Sequence, residues 1–199
     1  MVRRINVLVI GVGGQGLITM SRLLAEAALA KGMDVSAAET HGMSQRGGSV
    51  VVFVRIGDRV LSPTFSEGQA NYILSTELVE TVRNLVYASR DTTIVTNTKV
   101  IYPALPNVKP VDPSKLLELV KSRVSRVIDV PASQIAEEVG NPHATNMVIL
   151  GVASVLLRDY LDTSYLEKAV SRIGKGKVAE ANLAAYKRGV EIGTRALGS

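Results

Sequence analysis

The chain of 199 residues has no cysteine and no tryptophan, and it has only two histidines and two phenylalanines. Without cysteine this polypeptide forms no disulfide, offers no thiolate nucleophile and holds no cysteine-ligated zinc or iron–sulfur cluster. If its function is redox, the metal sits elsewhere. His41 and His143 lie far apart and lack the i, i+4 spacing of a helical metal pair, so a histidine metal site has no support. No stretch approaches the ~20 uninterrupted apolar residues of a membrane span. Met1-Val2-Arg3-Arg4 leads directly into a strand pattern, with no apolar signal region or cleavage site, so a cytoplasmic location is expected. Lys and Arg number 23 against 18 Asp and Glu, for a formal charge of +5. These charges form no run, so nucleic acid is not an expected partner, whereas a mildly basic surface suits phosphorylated or carboxylate ligands.

What is present is an apolar supply, 46% of residues, sufficient for one α/β domain with a full core. Residues 5–10 read Ile-Asn-Val-Leu-Val-Ile and predict a strand. Directly after them, residues 11–16 read Gly-Val-Gly-Gly-Gln-Gly. Leu17, Met20, Leu24 and Ala28 then recur at helical spacing, and Gly32 closes the pattern. Strand, glycine loop and helix in this order predict a site for a phosphorylated ligand. Gly11, Gly13, Gly14 and Gly16 let the backbone turn and approach a pyrophosphate, and the first turn of the helix presents N–H groups that have no partner within the helix. The alternative is a tight turn that binds nothing.

Residues 34–40 and 49–56 predict two further strands, the second rich in β-branched residues. Only residues 41–48 separate them, fewer than a parallel crossover needs, so the two are expected to be antiparallel neighbours. Gly57-Asp58 predicts a tight turn that extends a hairpin into residues 59–61. A strand at 71–75, a helix at 77–88 and a buried strand at 93–96 ending at Asn97 follow, and then a connection marked by prolines 103, 106 and 110. Residues 114–123 predict a helix, 126–130 a strand, and Pro131-Ala132-Ser133 opens a short helix that ends at Gly140. Three helices are expected at 145–160, 165–173 and 177–197. The first is apolar nearly all round, so it must be buried, within the domain or partly against a partner subunit. The expected fold is α/β: a Rossmann-like open sheet, mostly parallel with an antiparallel hairpin, helices on both faces, and a helical part over residues 144–199 of a single domain spanning 1–199.

A second segment, residues 41–48, packs His41, Gly42, Ser44, Gln45, Arg46, Gly47 and Gly48 into one inter-strand loop. Arg46 offers a planar fork for phosphate or carboxylate, and the glycines allow close backbone approach. Should the sheet order bring this loop beside Gly13–Gly16, both would line one crevice at the carboxyl ends of the strands. The alternative is a polar turn held by its own side chains. Glu39 stands where a dinucleotide site carries its ribose-binding acid, although a solvated edge residue fits as well. Asn97 faces that crevice or satisfies a turn. Gly174-Lys175-Gly176-Lys177 lacks a preceding strand and reads as a helix-to-helix turn, and His143 reads as part of a capping turn after Asn141-Pro142.

Three separated stretches, the glycine loop, residues 41–51, and Lys177 through Glu180-Ala181-Asn182-Leu183 to Tyr186 and Gly189, together resemble the gamma-type subunit of the 2-oxoacid:ferredoxin oxidoreductases. The arrangement His-Gly-Met-x-Gln-Arg-Gly-Gly is most similar to that of the small, beta subunit of the indolepyruvate-type enzymes. The resemblance covers nearly the whole chain. It implies a complex that oxidatively decarboxylates a 2-oxoacid, here an aryl pyruvate, reduces ferredoxin and transfers the acyl group to coenzyme A. It also implies that thiamine diphosphate and the [4Fe-4S] clusters belong to a larger partner subunit. In agreement, the chain has no cysteine and no Gly-Asp-Gly segment with paired asparagines of the thiamine-diphosphate type. On this reading Gly13–Gly16 and the Gln15 side chain hold a phosphate of coenzyme A or contact a neighbouring diphosphate, and His41 and Arg46 position the acyl acceptor or substrate carboxylate. Two other readings stand beside it: a nicotinamide-dependent dehydrogenase using Gly11, Gly13, Gly16 and Glu39, and a scaffold whose glycine loop only packs.

Overall fold

In the computed structural model, which describes residues 3–42, 47–102 and 110–198, the first apolar run lies in strand β1 (Arg4–Val12). Ile5, Val7 and Val9 enter one core while Leu8 and Ile10 enter another. This alternation with both sides apolar marks a central strand covered on both faces. Around it, β2 (Asp34–His41), β3 (Ser49–Gly57), β4 (Ala70–Ser75), β5 (Ala88–Asn97) and β6 (Arg126–Val130) complete a sheet of order β2-β3-β1-β4-β5-β6. β1, β4, β5 and β6 are parallel neighbours, and β3 runs antiparallel to both β2 and β1. The short link did foretell the β2–β3 pairing. It did not foretell that β3 inserts between β2 and β1, which leaves β2 as a half-exposed edge strand about two strand spacings, roughly 10 Å, from β1.

The helices are α1 (Leu17–Ala30), α2 (Leu78–Arg83), α3 (Pro113–Arg123), α4 (Ala132–Glu138), α5 (Thr145–Leu156), α6 (Thr163–Val170) and α7 (Lys177–Gly198). Residues of α1 and of α4 to α7 pack on the sheet face that carries Val7, Val9, Val54 and Val95. The opposite face, with Leu8, Ile10, Phe53 and Ile73, is covered by Val120 of α3, by Val82 of α2, and by Phe65 and Tyr87. Phe53 meets Phe65 and Tyr87 edge-on, with ring centroids 5.0 and 5.4 Å apart, a favoured aromatic geometry. Among the described residues no helix is long and apolar enough to cross a membrane.

The apolar α5 finds its burial inside this chain. Gly151 of α5 and Gly189 of α7 place the two backbones in direct contact: a Cβ on Gly189 would fall on the Val148 carbonyl oxygen, and one on Gly151 would fall on the Tyr186 carbonyl oxygen. Gly193 continues the same seam against Val152 and Val155. Asn182 fastens the start of α7, with its amide donating to the Ile173 carbonyl (2.9 Å) and accepting from Asn141 Nδ2 (2.9 Å). Ala181, Asn182, Tyr186 and Gly189 of the third stretch of the resemblance are therefore packing residues, whereas Lys177 and Glu180 are exposed.

Two expected elements differ. Residues 59–61 form no strand, and Gly57-Asp58 is not a hairpin turn. Gly57 is glycine because a Cβ there would collide with the Arg3 carbonyl oxygen, and the Asp58 carboxylate accepts from the Arg3 N–H at 2.8 Å, so the pair ties the end of β3 to the start of β1. The helix expected over 77–88 stops at Arg83. The Asn84 side chain donates to the Glu80 carbonyl (2.9 Å), ending the helix, and a single 3-10 turn, Leu85–Tyr87, leads straight into β5.

Candidate functional site

The carboxyl ends of β1, β2, β4, β5 and β6 meet the amino end of β3 at one edge of the sheet, with Val12 opposite Ser49 in the β1–β3 register. At this edge the chain leaves β1 in a turn closed by the Gln15 N–H to the Val12 carbonyl (3.2 Å). Gly14 stands at the third position of that turn with φ +98°, a conformation costly for any side-chain-bearing residue. Gly16 follows at φ +71° as the N-cap of α1, which has no side-chain cap. The N–H groups of Leu17, Ile18 and Thr19 therefore lack partners within the helix, and no acidic residue occupies its first turn. Such an end attracts an anion.

The two glycine-rich loops are joined. The Gly13 N–H donates to the Gly48 carbonyl at 2.8 Å, and the Gly47 N–H donates back to the Gly13 carbonyl at 3.4 Å. Ser44, Gln45 and Arg46 lie outside the described residues. Gly42 continues the β2–β3 pairing by donating to the Ser49 carbonyl (3.4 Å). A cavity of about 480 Å³ opens beside the loop, lined by Gly13, Gly14, Gly16, the first residues of α1, Glu39, His41 and Val50. Glu39 and His41 are exposed at the end of β2 and share this cavity with the glycine loop from across the width of β3. In a standard dinucleotide site the strand bearing the acid is the direct neighbour of the first strand; here it is not.

Gln15 is turned away from the position foreseen for it. Its Oε1 accepts from the Val12 N–H (2.8 Å) and from Thr76 Oγ1 (2.7 Å), and its Nε2 donates to the Thr76 carbonyl (3.3 Å). Its carbonyl oxygen is spent on the fold. Gly11 makes the arrangement possible, since a Cβ there would overlap Thr76 Oγ1 and come within 2.8 Å of Gln15 Oε1.

Asn97 is buried on the far side of β4. Its Nδ2 donates to the Thr76 carbonyl (2.9 Å) and to Ser133 Oγ (2.8 Å), and its Oδ1 accepts from the Ser133 N–H (3.3 Å). These bonds tie the tips of β4 and β5 to the start of α4. His143 sits in the turn Pro142–Ala144, which Asn141 caps, and the glycines at 174 and 176 form the link into α7.

Two residues escaped the sequence reading. Glu77 and Glu80 are almost fully buried beside the glycine loop. Glu77 is the N-cap of α2; one oxygen accepts from the Glu80 N–H (2.7 Å) and the other from the Ile101 N–H (2.9 Å). Burial pushes its carboxyl above the usual carboxylate range, the nearby Glu80 carboxylate adds to the rise, and the main-chain donors oppose it. Glu80 accepts from Ser49 Oγ and pairs with Arg83 at 2.9 Å, so it pins the start of β3 and with it the strand entry that follows Gly47 and Gly48. The sequence carries no capping-box pattern to mark them: a Glu stands at the N-cap in place of Ser, Thr, Asp or Asn, and its own N–H goes to Ser75 Oγ (3.3 Å) rather than back to Glu80.

Residues 6–192 match the family model described as pyruvate ferredoxin/flavodoxin oxidoreductase. The chain is 39% identical over 189 residues, 94% of each chain, to the indolepyruvate oxidoreductase subunit IorB of Archaeoglobus fulgidus. Its fold matches the gamma subunit of a keto/oxoacid ferredoxin oxidoreductase from Geobacter sulfurreducens, with a TM-score of 0.70, 21% identity, and coverage of 96% of this chain and 99% of that one. It also matches part of the 2-oxoglutarate:ferredoxin oxidoreductase from Magnetococcus marinus, solved with 2-oxoglutarate, coenzyme A and succinyl-CoA bound; there the TM-score is 0.74 at 22% identity, covering 97% of this chain and 31% of that one. The glycine loop, the joined inter-strand loop and the α5–α7 seam thus belong to a chain that is a member of the pyruvate ferredoxin/flavodoxin oxidoreductase family.

Proposed function

We propose that this chain is the small, cluster-free subunit of a cytoplasmic, thiamine-diphosphate-dependent aryl-pyruvate:ferredoxin oxidoreductase, and that its glycine loop takes a phosphate of coenzyme A. The similarity to a subunit named for indolepyruvate supports the substrate class. The single observation that carries the binding role is the uncapped start of α1 opening, between Gly14 and Gly16, into a cavity of about 480 Å³. The residues present fit a phosphate. Main-chain N–H groups supply donors, and a Cβ added at Gly14 would have no neighbour within 4 Å, which is open space at the mouth of the cavity, whereas one at Gly16 would meet Asn146 Nδ2. When bound, coenzyme A supplies the thiol that accepts the acyl group. This chain's part is to hold and orient: the loop fixes the phosphate end, while His41, and Arg46 by its place in the same loop, direct the remainder toward the partner's thiamine and cluster site. The larger subunit carries those cofactors and delivers electrons to ferredoxin.

Glu39 provides the test, because it shares the cavity with the proposed phosphate. A carboxylate beside a phosphate repels it, so Glu39→Gln in the complex purified with its cluster-bearing partner lowers the KM for coenzyme A about two- to five-fold, as expected for a solvent-exposed charge. A dehydrogenase reading has the opposite sign, since there Glu39 holds ribose hydroxyls and its removal weakens NADH binding by the full chain. A coenzyme A KM that is unchanged or raised in Glu39→Gln contradicts the proposal.

A further inference from the structure

The glycine loop is supported from beneath by an arrangement that neither composition nor motif explains. Thr76 lies just past the tip of β4 and is fully buried. Its N–H donates to the Ile10 carbonyl (3.1 Å), which fixes it to β1. Its hydroxyl donates to Gln15 Oε1, its carbonyl accepts from Gln15 Nε2, and the same carbonyl accepts from Asn97 Nδ2. Gln15 Oε1 in turn accepts the Val12 N–H, so the hydroxyl of Thr76 and the last amide of β1 converge on one oxygen. Gly11 leaves the space in which they meet. The chain thus runs Asn97, Thr76, Gln15, Val12 across the ends of β5, β4 and β1, immediately below the turn that presents Gly14 and Gly16.

Resting on the proposed function of the glycine loop, we infer that Thr76 is the positioning residue of that site: acting through Gln15, it fixes the turn in the shape that accepts a phosphate. Three observations support this. Gln15 is the one side chain longer than valine between Gly11 and Gly16, so it is the side-chain tether of a loop whose main chain is held by the Gly13 bonds to Gly47 and Gly48 and by Asn146 Nδ2 donating to the Gly16 carbonyl (3.0 Å). Both ends of its amide are engaged by the same residue, which fixes position and rotation together. Gly14 and Gly16 hold positive φ values, and a loop of this kind binds an anion well only when its amides are already aimed, because each freely rotating bond lost on binding reduces affinity. Thr76 touches no ligand in this account.

The experiment uses the complex containing the full chain, with coenzyme A as the varied substrate. Thr76→Val keeps the shape and removes the hydroxyl donor. The expected result is a KM for coenzyme A raised about three- to ten-fold with kcat nearly unchanged, and Thr76→Ser restores the wild-type value. Thr92 is the structural control: it is equally buried and its hydroxyl donates to the Ala70 carbonyl at 2.6 Å, but it lies toward the other end of β5. Thr92→Val lowers the melting temperature to a similar degree and leaves the KM where it was. If Thr76→Val and Thr92→Val both lower the melting temperature and neither moves the KM while Glu39→Gln does, the positioning role is overturned and the phosphate site stands. If neither Glu39→Gln nor Thr76→Val moves the KM, the phosphate reading is overturned, and the role of Thr76 with it.

Discussion

The two halves of the sheet's carboxyl edge differ in make-up, small polar side chains in one and glycines in the other, and they end in opposite conditions. On the β4–β5–α4 side the side chains are turned on one another: Thr81 Oγ1 lies 2.7 Å from Thr96 Oγ1, and Asn97 bonds to Thr76 and Ser133. On the β1–β2–β3 side glycines replace side chains, and the first-turn amides of α1 face a cavity. A buried polar group left without a partner costs about 1–3 kcal/mol, so the side chains of the first half are paired with one another, and the cavity beside Asn97 and Ser133 is about 220 Å³ against about 480 Å³ at the glycine loop. The second half can stay open because water or a ligand reaches its amides. The candidate site is therefore where the fold withholds side chains, and Gln15, the exception within that loop, is drawn to the closed half.

The comparison breaks most severely at the helical seam behind the closed half. Gly189→Val forces a side chain onto the Val148 carbonyl, and overpacking there is expected to cost about 3 kcal/mol, lowering the melting temperature by roughly 6–12 °C. Denaturation of the purified chain measures it; a variant as stable as wild type would show that α5 and α7 do not meet as closely as described.

A smaller effect sharpens the comparison through pH. Glu77 holds its proton to higher pH in the folded chain than in the unfolded one, so its contribution to stability is full below the ordinary carboxylate value of 4.5 and declines as pH rises through the raised one. Glu77→Gln cannot titrate. The stability advantage of wild type over this variant is expected to narrow as pH increases across that window, read from urea midpoints at several pH values. An advantage that widens with pH would mean that the main-chain donors outweigh burial.

How much of this was visible beforehand follows the range of the interactions. The strand, glycine loop and helix of residues 5–30 were legible because a strand period, a run of glycines and a helical period are all local. The antiparallel β2–β3 pair was legible from the length of its link. The tether of Gln15 to Thr76 was not legible because the two are 61 residues apart and the sequence carries no mark of that pairing. Gly57-Asp58 has the composition of a hairpin turn, yet its constraint comes from Arg3, 55 residues earlier than Asp58. The buried Glu77 and Glu80 were passed over because charged residues at a helix start normally face water. Gly189 stood out only as part of the resemblance and Gly151 not at all; the packing of α5 on α7 shows why neither tolerates a side chain.

The most direct measurement is to titrate coenzyme A into isotope-labelled full chain and follow the backbone amide resonances. Shifts concentrated at Gly14, Gly16, Leu17, Ile18 and Thr19, with Ser133 and Thr96 unmoved, are predicted. Shifts centred on the β5–α4 edge, or none at the start of α1, would contradict the assignment of phosphate binding to the open half.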